Sequence, residues 1–150
     1  MGFNFIWVGR DDKGVPVNVA LSGDYALLNL VRESFPTYEG RQYIFKRVGS
    51  EWVRQSQLIP DGALPVYGNA AALSGDYAIV DSLAVDELED YVRGTAHVFE
   101  RRGENWVQVK RFPTDESEFG VSIAMSENYA IIGAPDFTGL TQEAAYIFVK

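Results

Sequence analysis

The chain contains no cysteine, a single histidine (His97) and no Asn-x-Ser/Thr sequon. Without cysteine, disulfides and thiolate metal centres are excluded, and cysteine usage gives no sign of the redox compartment. One imidazole leaves any zinc site dependent on carboxylates, which is not the donor set of zinc centres. Basic residues are also scarce, 13 Lys and Arg against 21 Asp and Glu. The resulting net charge of −8 argues against a general nucleic-acid role and against adsorption to anionic membranes. No apolar run approaches the roughly 18 residues of a spanning helix. Met1–Val8 is apolar but short for a signal peptide and lacks a basic start. Nucleophile elbow, P-loop and dinucleotide fingerprints are all missing.

What the chain has is periodicity, with enough apolar residues (47%) to build a core. Leu-Ser-Gly-Asp-Tyr-Ala occurs at Leu21–Ala26 and again at Leu73–Ala78, and a degenerate copy, Met-Ser-Glu-Asn-Tyr-Ala, stands at Met125–Ala130. Tyr25, Tyr77 and Tyr129 are spaced evenly, 52 residues apart. A fixed period of this size marks a repeat architecture.

Each repeat reads as short strands. Strand A covers 17–21, 70–73 and 121–125. A two-residue turn follows, Gly23-Asp24, Gly75-Asp76 and Glu127-Asn128, because Gly supplies the positive φ of a tight hairpin. Strand B covers 25–29, 77–81 and 129–133, and strand C covers 41–47, 95–101 and 144–150. Strand D opens on Trp52 and Trp106, and Trp106-Val107-Gln108-Val109-Lys110 alternates as a half-buried antiparallel strand does. No segment reads as a convincing helix, and the best candidate, Val85–Tyr91, is short and acidic.

Four antiparallel strands in about 50 residues is the arithmetic of a β-propeller blade. The fold class expected is all-β, propeller-type, with three four-stranded antiparallel blades in a single domain spanning 1–150. The repeats run approximately 15–59, 67–112 and 119–150. The third has no strand D of its own, and Phe5-Ile6-Trp7-Val8 resembles one, so residues 3–9 are expected to complete the last blade. Small residues on strand A suit the innermost position, and a strand-D tryptophan suits packing between blades. Three blades fall below the usual 4–8. Two arrangements meet this: a six-bladed homodimer that exchanges the Trp7 strand, or a segment of a larger propeller.

Phe119-Gly120 and, after a twelve-residue gap, Gly133-Ala134-Pro135 resemble the FG-GAP repeat, the blade unit of integrin α-chain propellers. The similarity extends to Ser122-Ile123-Ala124, Tyr129-Ala130-Ile131-Ile132 and Ala145-Tyr146-Ile147-Phe148. Repeat two keeps Tyr67-Gly68 but has Asp81-Ser82-Leu83, and repeat one has Val15-Pro16 and Asn29-Leu30-Val31. The resemblance implies a secreted or cell-surface setting, for which the sequence itself carries no signal. Many family members hold calcium on an Asp-x-Asp-x-Asp-Gly loop between the two motifs. Here that place holds only a tight turn, short of the six to eight oxygens calcium takes. No metal or other cofactor is therefore expected.

His97 stands where repeats one and three have Tyr43 and Tyr146, so it reads as a structural strand-C residue. The acidic residues Asp81, Asp86, Glu87, Glu89 and Asp90 read as a solvated loop. Antiparallel topology puts the A–B and C–D turns on one side and the B–C and D–A connections on the other. The second set varies in length, and variable loops on a fixed scaffold are where binding concentrates. The candidate ligand-binding residues there are Arg32, Phe35, Tyr38, Asp86, Tyr91, Arg93 and Phe137. The function expected is a non-catalytic module that recognises a protein or glycan. The alternatives are a structural, self-assembling propeller fragment and a propeller-borne hydrolase or lyase, which would need a convergent carboxylate pair.

Overall fold

A computed structural model describes residues 15–34, 37–62, 66–86, 91–112, 119–135 and 144–150. It is all-β, with eleven strands in three antiparallel sheets and no helix among the described residues. The first sheet has the order β1(Val15–Ser22), β2(Tyr25–Ser34), β3(Thr37–Val48), β4(Glu51–Leu58). The second repeats it with β5(Val66–Ser74), β6(Tyr77–Asp86), β7(Tyr91–Arg102) and β8(Asn105–Phe112). The third is three-stranded, with β10(Tyr129–Ala134) between β9(Ser122–Met125) and β11(Ala144–Val149). The strand expected at Phe5–Val8 lies outside the described residues.

The repeated turn sets the geometry of each sheet. Gly23 and Gly75 take φ of 56° and 57°, the left-handed region that a β-carbon disfavours. Each turn then fastens to the third strand of its own sheet. The Asp24 carbonyl accepts from the Arg47 N–H at 2.8 Å, Asp76 from Arg101 at 2.7 Å, and Asn128 from Lys150 at 2.9 Å. The Asp24 and Asp76 carboxylates also pair with the guanidinium groups of Arg47 and Arg101. Lys150 and Asn128 keep the backbone bond in repeat three, but an amide cannot supply the carboxylate.

The sheets stack in sequence order, the second between the other two. Alternation on β6 divides its side chains between two cores. Ala78 and Val80 join Leu27, Ile44, Leu58, Ala71, Leu73 and Phe99 in a core between the first and second sheets. Ile79 joins Ala96, Phe119, Ile132 and Ala134 in a core between the second and third. Burying each of the larger aliphatic side chains contributes about 1.5–3 kcal/mol. β5 carries Ala70, Ala71 and Ala72, all buried, and it lies beside both β1 and β9, whereas β4 and β8 barely touch. The layers therefore diverge from their first strands outwards.

Tryptophan bridges the first junction. Trp106 on β8 meets Tyr25 on β2 edge-on, with centroids 6.0 Å apart and planes at 76°, while the Arg101 guanidinium lies 4.8 Å from the centroid of the same ring. At the second junction Phe112 and Phe148 are 4.3 Å apart.

Several sequence expectations need correction. The second and third strands of the first two sheets run well beyond their expected ends, to Ser34 and from Thr37, and to Asp86 and from Tyr91. Polar residues there hide the strand, but the ladder needs only backbone groups. The extension takes in both ends of the weak helix candidate, since Val85 and Asp86 continue β6 and Tyr91 opens β7. Asp81 does not belong to an acidic surface loop. It is fully buried on β6, and its Oδ1 accepts the Ala70 N–H at 3.0 Å.

Candidate functional site

Ser22 Oγ accepts the Gly75 N–H at 2.9 Å, so the short turns of the first two sheets lie side by side. Antiparallel pairing then puts the far ends of the β2–β3 and β6–β7 hairpins on the opposite side of their sheets, the side the unequal connections occupy. Five of the seven candidate residues lie on the arms of these hairpins. Arg32 on β2 pairs with Glu39, and Tyr38 on β3 pairs with Glu33. Asp86 on β6 and Tyr91 on β7 face each other in register, and Arg93 pairs with Ala84. Within each hairpin the candidates are thus neighbours, held on ladders rather than on loose loops. Phe35 and Phe137 lie outside the described residues, as do Glu87, Glu89 and Asp90.

The opposite side holds a feature that the sequence reading missed. A groove of about 290 Å³ opens between the second and third sheets, lined by Ile79, Val98, Phe112, Met125 and Phe148. Lys110 and Lys150 border it, with Nζ atoms 4.6 Å and 4.2 Å from the ring centroids of Phe112 and Tyr77. The same place at the first junction is where Trp106 meets Tyr25. At the second junction an equivalent tryptophan would come from a fourth strand on the outer edge of β11, which has no partner among the described residues. An apolar wall with cations at its rim suits an aromatic side chain by dispersion and cation–π attraction.

The phenylalanine-glycine step of repeat three is a packing device. Phe119 is buried against Phe112 and Tyr146, with centroids at 6.2 Å and 5.5 Å. Gly120 has φ of 101° and donates its N–H to the Gly133 carbonyl at 3.0 Å, joining the two motifs directly. A β-carbon on Gly120 would stand 3.0 Å from the Asp81 β-carbon, and one on Gly94 would stand 2.0 Å from the Phe119 carbonyl oxygen. The backbone approach at both points requires glycine.

His97 and Ser82 form the one buried pair with nucleophile–base geometry among the described residues, Ser82 Oγ lying 3.0 Å from His97 Nε2. Both residues are fully buried, and His97 Nδ1 has no hydrogen-bond partner. Burial pushes the imidazole down to about 4, helped by the Arg111 guanidinium and opposed by Asp61. The ring is neutral and enclosed, and no carboxylate bonds to either of its nitrogens. In the first sheet, Gln42 Nε2 donates to Asn29 Oδ1 at 3.3 Å, both buried. Asn29, Asp81 and Gly133 occupy one position of the three repeats, which therefore differ in polarity where their shape is shared. Among the described residues no three His, Cys, Asp or Glu side chains gather in metal-binding geometry.

The chain matches no protein-family model and no curated protein.

Proposed function

We propose that the chain forms three blades of a β-propeller of the FG-GAP kind and serves as a non-catalytic interaction module. One observation carries the reading: three sheets of the same strand order stack face to face in sequence order and diverge from their first strands. The bond between Gly120 and Gly133 gives the phenylalanine-glycine and glycine-alanine-proline motifs a shared structural purpose, which supports the resemblance. In this reading the N-terminal segment, residues 3–9, supplies the fourth strand of the third blade.

The ligand, a protein or glycan, is read by the β2–β3 and β6–β7 hairpins. Paired strands hold Arg32, Tyr38, Asp86, Tyr91 and Arg93 at low entropic cost, which favours binding. Screening the protein on glycan and protein arrays identifies a ligand. The combined variant Tyr38→Ala, Tyr91→Ala, Phe137→Ala should lose binding while keeping its fold. Undiminished binding by that variant would remove the site assignment.

A second reading is structural self-assembly of the blades. It is favoured by apolar side chains exposed at both ends of the stack, Val19 and Leu21 at one and Ile147 and Val149 at the other. Contiguous apolar surface of this kind marks an interaction site.

A further inference from the structure

The two end faces of the stack are repeat equivalents of faces that pack inside it. The second sheet meets the first through Ala71, Leu73, Ala78, Val80 and Phe99, with Trp106 beside them. The third sheet meets the second through the same positions, Ile123, Met125, Ala130, Ile132 and Phe148. In the first sheet these positions are Val19, Leu21, Ala26, Leu28 and Phe45, with Trp52 in the place of Trp106. Among the described residues no sheet covers them, and Val19 and Leu21 are each 68% exposed.

The receiving face repeats in the same way. Tyr25, Leu27 and Ile44 on the first sheet receive the second. Ile79 and Val98, with Tyr77 beside them, receive the third. On the third sheet the equivalents are Tyr129, Ile131 and Ile147, all exposed, with Tyr129 at 56%. The register supports the comparison. Ile131 pairs with Ile147 as Ile79 pairs with Val98 and Leu27 with Ile44. Neither end face carries a charged residue at these positions.

We infer that the outer face of the third sheet binds the outer face of the first sheet of a second copy of this chain, head to tail, with that copy's Trp52 set against Tyr129. This rests on the blade reading above and makes it specific. The contact is heterologous, a knob-bearing face on a receiving face, as at both internal junctions. Two copies joined at both ends supply six sheets, within the 4–8 of propellers, and a closed ring leaves neither face open.

Light scattering across a dilution series tests this. The wild-type chain should run at twice its 16.7 kDa mass. Ile131→Lys removes the receiving face and Leu21→Lys the inserting face, and each alone should give a monomer. Mixing the two variants should restore the dimer mass, because each retains the face the other lacks. Both positions are exposed in the single chain, so lysine is compatible with the fold, and Ile147→Thr with Val19→Thr provides a milder second pair. A wild type that stays monomeric overturns the docking. So does a dimer that survives either lysine variant, since that requires two like faces to meet. Nuclear Overhauser contacts between Trp106 and Tyr25 separate the two levels. Their persistence in a monomeric wild type would leave the blade reading standing, and their absence would remove both.

Discussion

Acidification should destabilise this protein through one residue, His97. Its imidazole is fully buried, bonded to Ser82 and close to the Arg111 guanidinium, so the native chain resists protonating it until about pH 4. The unfolded chain takes up that proton near 6.5. Between these values the unfolded state holds more protons than the native state, so stability falls as pH falls. The contribution is complete above 6.5, declines through the window and is exhausted below about 4. At about 1.4 kcal/mol per pH unit the loss is about 3 kcal/mol. As the only histidine, His97 gives a single set of imidazole resonances, whose titration should be centred near 4. Urea unfolding of the wild type and of His97→Gln, which keeps a donor for Ser82, should differ in pH dependence by the amount above. Glu100 and Glu104, held low by their partners Arg102 and Lys46, also lose stabilising charge in acid but do so in both proteins. A native-state titration near 6.5, or equal pH slopes for the two proteins, would refute the reasoning.

Other substitutions have expected outcomes. Gly94→Ala drives a β-carbon into the Phe119 backbone and should cost at least about 3 kcal/mol in urea unfolding. Gly120→Ala combines a strained positive φ with contact on Asp81 and should cost about 2 kcal/mol, measured the same way. Trp106→Ala removes the half-buried ring that meets Tyr25, and calorimetry should show a loss of about 3 kcal/mol. Asp76→Ala breaks an exposed pair with Arg101 and should change stability by less than about 1 kcal/mol, because solvent screens it.

The sheets and their turns were legible because their signals are local. Gly23-Asp24 and Gly75-Asp76 specify tight turns by φ alone, and alternation from Trp106 to Lys110 specifies a strand with two unlike faces. Trp106 also announced the junction it bridges. The arms of the long hairpins were not legible, since Arg32-Glu33-Ser34 and Thr37-Tyr38-Glu39 pair through backbone groups and show no apolar alternation. Asp81 misled because a carboxylate in an acidic run reads as solvated, while its acceptor role toward Ala70 depends on a strand remote in sequence. Five of the candidate residues, Arg32, Tyr38, Asp86, Tyr91 and Arg93, lie on strands where the sequence suggested loops. The groove beside Tyr77 left no sequence signal, because it arises where two sheets diverge.

The stacking of the three sheets in sequence order is the claim on which the rest depends. The most direct measurement is a nuclear Overhauser spectrum of the folded protein with labelled aromatic rings. It should show contacts from Trp106 to Tyr25 across the first junction and from Phe112 to Phe148 across the second. A folded protein with either contact missing would contradict the stack.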